Sequence, residues 1–270
     1  MAGMVCQRAG GGPWNRTAAP KEAAMFEDHV SIDTGEGEMS TFVTHPEPSE
    51  RRPGPFPTVL FLMDAPGKRE ELHDMARRIA TVGYYVLLPN LYYRDIPGFI
   101  VQRDDPASRR FMGELMANLS NAMVSRDAAA LLRYADADPA ASTERVGTTG
   151  YCMTGPMAIW LAADYPDQIT AAASIHGVRL AVDADDSPHL RAPDIGGEVL
   201  VMSAEHDDYV DRAHYDRLCK SFADAGTDAQ TYWVDGTHHG FVFPQREVYD
   251  KPAAERHWEL LLDMFARRLH

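Results

Sequence analysis

The chain has 270 residues, of which 45% are hydrophobic and 24% charged, with a formal net charge of −14. That length suits one large α/β domain or two small ones, and the acidity excludes nucleic acid and anionic membrane as partners, since both demand a basic patch. The three cysteines, Cys6, Cys152 and Cys219, are far apart and odd in number, which argues against a disulfide framework and for a reducing, cytoplasmic setting.

Residues 1–25 contain no apolar core of the kind a secretory signal needs, and read as a flexible leader before a single domain over 26–270. No uninterrupted apolar run anywhere is long enough to span a bilayer. Residues 30–33 and 39–44 suggest a hairpin around Gly35-Glu36-Gly37. A proline-rich loop (51–57) then leads into 58–63, apolar after its first residue, as a strand buried on both faces should be. Leu72, Met75, Ala76, Ile79 and Val82 share one helical face, closed by Gly83. Residues 84–88 form another buried strand, stopped by Pro89.

The polar section from Arg94 to about Asn118 reads as a loop or short helix over the sheet edge. Leu119, Met123, Ala130 and Tyr134 mark the next helix. Further strands are expected at 146–151, 170–175, 199–203 and 231–234, with helices between them. A last helix carries Trp258, Leu261, Leu262, Phe265 and Leu269. Such alternation implies a mostly parallel central sheet with helices on both faces.

In that architecture sites form at the carboxyl ends of strands. Three such loops carry reactive residue types. Gly150-Tyr151-Cys152-Met153-Thr154-Gly155 runs from a strand through a tight turn into a helix, the context of a nucleophile elbow. There the helix N-terminus favours a thiolate on Cys152. Taken alone, a cysteine is more often a small buried hydrophobe. The loop at 203–210 offers Asp207 or Asp208 to orient a histidine, although an acidic turn or helix cap would look the same. The loop at 235–241 offers His239 as general base, with His238 as the alternative. Nucleophile, acid and histidine occur in the chain order of the α/β-hydrolase triad. His206, Asp207, His238 and His239 are metal-ligand types, but nothing enforces tetrahedral spacing, so neither a metal nor another cofactor is expected.

Those residues and their surroundings resemble the dienelactone hydrolases. The resemblance runs from about Phe26 to the C-terminus and is densest at 63–67, 83–94, 150–152, 207–210 and 239–241, with further likeness at Tyr249-Asp250, 253–255 and Trp258. It implies the α/β-hydrolase fold and a Cys152–Asp207–His239 triad, Asp207 being preferred because it stands three residues before Val210. It places oxyanion donors at the backbone N–H groups of Met153 and Ala65. Asp64 stands where the family has a glutamate that manages thiol ionisation. Arg94 matches the first of two family arginines that hold a substrate carboxylate. The second falls at Phe243, and the family's strand-end tyrosine at His176. The implied pocket is less cationic than the family's, so a more apolar ester or lactone than dienelactone is expected.

A thiolate leaves a tetrahedral intermediate more readily than an amide nitrogen, so sulfur favours esters and lactones over peptides. The expected activity is ester or lactone cleavage through a cysteine thioester, with a small molecule as the only implied partner. The alternative is a non-catalytic member of the fold that binds a small molecule, for which the Asp64 and Phe243 changes speak, together with Thr154, which stands where the elbow pattern has its second small residue. Ester turnover separates the two. Oligomeric state is left open.

Overall fold

The structure is a computed structural model that describes residues 24–270. The leader expected over 1–25 falls, as far as residue 23, outside the described residues. From Met25 the chain enters a hairpin, β1 (Met25–Asp33) and β2 (Glu38–Pro46). Six further strands follow: β3 (Phe56–Leu62), β4 (Tyr85–Pro89), β5 (Ala141–Tyr151), β6 (Ile169–Ile175), β7 (Glu198–His206) and β8 (Ala229–His238). All eight join one sheet in the order β1-β2-β4-β3-β5-β6-β7-β8. The pairings β1–β2 and β2–β4 are antiparallel. Every pairing from β4–β3 through to β7–β8 is parallel. Strand order reverses between β3 and β5, the switch point where an open parallel sheet leaves a crevice at its carboxyl edge.

Helices α1 (Glu70–Thr81), α2 (Pro106–Ala117), α3 (Asn121–Asp136), α4 (Gly155–Asp164), α5 (Arg212–Ala225) and α6 (Lys251–Arg268) cover both faces. Arg78 of α1 ties to α6 through Glu255 at 2.7 Å and lies over the Trp258 ring, while α3 packs on α4. This is the mostly parallel sheet with helices on both faces anticipated from the alternation of strands and helices, and it agrees with the α/β-hydrolase fold that the resemblance implies. β3 and β4 are buried along their whole length, which is why they read as unbroken apolar runs.

Several expectations change in extent: β1 begins five residues before 30–33, and β7 and β8 run on to His206 and His238. The polar section after Arg94 contains a 12-residue helix, α2, capped by Asp105, whose carboxylate accepts from the N–H groups of Ala107 and Ser108. Pro106 opens it without losing a hydrogen bond. Only Leu115 of α2 is fully buried, so no apolar stripe announces it. β5 begins five residues earlier than expected, because Ala141 pairs with Phe56 in an exposed polar stretch.

Candidate active site

The elbow after β5 is built by close packing. Cys152 has φ 55, the left-handed region that L-residues seldom occupy. A Cβ on Gly150 would sit 2.1 Å from the Thr154 carbonyl oxygen, so only glycine lets the chain turn back so sharply. Thr154, the departure from the usual small residue, is fully buried. Its hydroxyl accepts from the Tyr151 N–H at 3.0 Å and lies 3.2 Å from the Leu62 carbonyl, stitching the elbow to the end of β3. His176 and Arg179 share the left-handed backbone of Cys152, and strained positions of this kind cluster at functional sites.

His239 and Asp207 meet because β7 and β8 are neighbours. Ladder pairing sets His206 opposite His238, and the His239 N–H donates to the His206 carbonyl at 3.2 Å. This places His239 Nδ1 2.7 Å from Asp207 Oδ2, while Asp207 Oδ1 accepts from the Tyr209 N–H at 2.9 Å. Both oxygens of Asp207 are therefore engaged, and its side chain is buried. The imidazole lies between the rings of His176 and Tyr209, with centroids 4.8 and 5.1 Å away. Burial would lower its pKa, but the Asp207 hydrogen bond and the adjacent Cys152 sulfur outweigh it and raise His239 to about 9. Nε2 itself is buried and makes no hydrogen bond of normal geometry, a looseness common before substrate arrives. His238, the alternative base, is exposed, and its ring lies against His206 at 4.8 Å. Among the described residues no group of three or more His, Cys, Asp or Glu could hold a metal ion.

Tyr92 connects the two residues assigned to the oxyanion hole. Its buried hydroxyl donates to the Ala65 carbonyl at 2.9 Å and lies 3.1 Å from the Met153 sulfur. Burial drives its pKa far above the ordinary tyrosine value, so the hydroxyl stays protonated. Tyr92→Phe should loosen the Ala65 loop at a cost of about 1 kcal/mol. The expected result is about a fivefold drop in kcat with KM nearly unchanged, measured on an activated ester.

Other expected site residues fall differently. Arg94 is committed elsewhere: it forms a two-pronged pair with buried Asp127 at 2.7 and 3.0 Å, and its Nε reaches Glu36 at 2.7 Å. A guanidinium so occupied is not offered to a substrate carboxylate. That correction was not readable in sequence, because Asp127 lies 33 residues away. His176 and Phe243 are nearly or fully buried, 5.4 Å apart by ring centroid. They form a floor beneath His239 rather than part of the open cleft. Both ring nitrogens of His176 lack partners, and burial holds its pKa well below 6.5.

Asp64 is fully buried between two arginines: Arg69 at 2.5 Å and Arg246 at 2.7 Å. Both guanidinium groups lie over the Phe243 ring, at 5.2 and 4.6 Å, and Cys152 is within electrostatic reach of Arg246. A second buried carboxylate, Glu71, pairs with Arg69 at 2.6 Å, so the two arginines are balanced by two acids, although Arg246 does bring a guanidinium near the position where Phe243 stands, from three residues further along the loop. No spacing signal marked Arg69 or Arg246 in advance. Asp64→Leu would leave largely buried Arg246 without a carboxylate partner, Arg69 keeping Glu71 at 2.6 Å, a loss of about 3 kcal/mol of stability. A lowered urea midpoint with unchanged slope would register it.

The model of the dienelactone hydrolase family matches residues 39–269. The chain belongs to that family. Its sequence is 26% identical to the carboxymethylenebutenolidase of Rhodococcus opacus over 249 residues, spanning 89% of this chain and 85% of that protein. The fold of this dienelactone hydrolase family member is also that of a dienelactone hydrolase-like promiscuous phosphotriesterase from metagenomic libraries (TM-score 0.74, 22% identity, 92% of this chain and 100% of that one). A dienelactone hydrolase of Anabaena variabilis shares it with a TM-score of 0.64 at 17% identity, over 91% of this chain and 99% of that one. Among the described residues no helix is long and apolar enough to cross a membrane.

Proposed function

We propose that the protein hydrolyses carboxylic esters or lactones by acyl transfer through Cys152. The observation that carries this reading is the Asp207–His239 bond at 2.7 Å, set beside a cysteine in left-handed backbone at a helix entrance. His239, oriented by Asp207 and raised in pKa to about 9, accepts the Cys152 proton. The thiolate attacks the carbonyl carbon, and the carbonyl electron pair moves onto oxygen. The N–H groups of Met153 and Ala65 hold that oxyanion, each worth about 3 kcal/mol of barrier. As the carbonyl re-forms, the carbon–oxygen bond to the alcohol breaks and the alcohol takes the His239 proton. From a lactone the alcohol stays attached, and the ring opens. Water then gives a proton to His239 and attacks the thioester, sulfur leaves, and the acid is released.

Acylation also adjusts the base. Once the sulfur is in a thioester it carries no charge, so one of the causes that raise His239 disappears. The ring becomes a better match to the deprotonation of water at neutral pH. The test is hydrolysis of p-nitrophenyl acetate before and after stoichiometric iodoacetamide, with peptide mapping of the alkylated thiol. Loss of activity in proportion to modification at Cys152 is the expected outcome. Undiminished turnover in fully alkylated protein would rule the mechanism out.

A further inference from the structure

A cavity of about 500 Å3 opens beside the nucleophile, a volume that accommodates a whole small-molecule ligand. Met116, Leu119, Met153, Met157, Val178 and Val182 give it an apolar part, and Ser120, Asn121 and Ser187 add polar groups, so the lining as a whole is about as polar as apolar. Two of these are immediate neighbours of Cys152: Met153 follows it in the chain, and the Val178 N–H donates to the Cys152 carbonyl at 3.1 Å. Exposed Arg179 and Asp186 mark the mouth, so opposite charges face each other there and neither sign is selected. Three of the lining residues, Met116, Met153 and Met157, are methionines, whose unbranched side chains fit themselves to irregular apolar shapes.

The position of the cavity determines which half of an ester it takes. The leaving alcohol must receive its proton from His239, so it departs on the side of the loops that carry His239 and Asp207. No residue of those loops lines the cavity; its walls come from 116–121, 153–157 and 178–187. The group that stays bonded to sulfur therefore points the other way, into the methionine-walled space. We infer that this cavity binds the acyl portion of the substrate, and that preferred substrates are esters of medium-length, uncharged aliphatic or arylalkyl acids. This assignment rests on the thioester reading above and adds the substrate class to it.

The measurement is kcat/KM for p-nitrophenyl esters from acetate to decanoate, which hold the leaving group constant. Each methylene drawn into an apolar wall should raise kcat/KM by up to about fourfold, giving a gain of at least about tenfold from acetate to hexanoate. Leu119→Trp and Val182→Trp, at half-buried positions, fill the space. Either should lower the hexanoate-to-acetate ratio by about tenfold or more. A second readout needs no turnover: Cys152→Ala should bind 2-octanone at least about tenfold more tightly than 2-butanone by calorimetry, and Leu119→Trp in that background should erase the difference. A flat ester profile alongside Cys152-dependent acetate hydrolysis overturns the cavity assignment and leaves the thioester mechanism standing. Hydrolysis independent of Cys152 overturns the mechanism instead, and the ketone series then decides the cavity alone, for or against.

Discussion

Cys152→Ala is expected to lower hydrolysis of p-nitrophenyl acetate by about three orders of magnitude or more, since a nucleophile cannot be partly replaced by its neighbours. Alanine is the informative substitution. It keeps a Cβ at φ 55, so backbone strain is the same as with cysteine and the elbow should remain folded. Near-identical thermal midpoints for the two proteins would confirm that the loss is chemical. Cys219 supplies the internal control. It lies on α5, half-buried, with its sulfur 3.3 Å from the Thr231 hydroxyl and no imidazole engaged with it. Cys219→Ala should therefore keep wild-type turnover, and iodoacetamide should label Cys152 much faster. Equal labelling of both thiols, with no ester turnover, would instead favour a protein that binds a small molecule without acting on it.

The sequence made the parallel sheet legible because β3 and β4 are buried along their whole length and are almost wholly apolar. It made the elbow legible because Gly150 is the only residue type whose place against Thr154 is open. Position along the chain also pointed to Cys152, Asp207 and His239 as candidates, since each follows a strand and strand ends converge in this fold. What stayed hidden depended on partners distant in sequence. Asp127 takes the Arg94 fork from 33 residues away, and Arg246 reaches Asp64 across 182. A charged side chain looks equally available in a sequence whether or not its counter-charge is waiting. Tyr92 lay within a recognisable motif, but its bridging of Ala65 and Met153 needs three loops in register. Helix α2 was hidden for the opposite reason, as its exposed surface imposes no apolar period.

His239→Ala should cost about as much activity as Cys152→Ala, because residues that act as a unit fail together, whereas His238→Ala should stay within a few-fold of wild type. Asp207→Asn should fall by about 10²–10⁴ in kcat, having lost the carboxylate that orients and charges the ring. The pH dependence then separates this from mere loss of structure. In the free protein His239 titrates at about 9, raised by Asp207 and Cys152 against the pull of burial. In the acyl form the Cys152 share is gone, so the limb seen in kcat should lie below the one seen in kcat/KM. Stability follows the same proton. A histidine whose folded pKa exceeds its ordinary 6.5 binds its proton more tightly in the native state. Its contribution is therefore complete below about 6.5 and is lost as pH rises through about 9. His239→Gln, which removes that titration, should accordingly destabilise the protein more at pH 6 than at pH 9.5. An equal or reversed difference in the urea midpoints would mean that the imidazole is not charged in the resting fold, and that His239 takes the sulfur's proton only when substrate is bound.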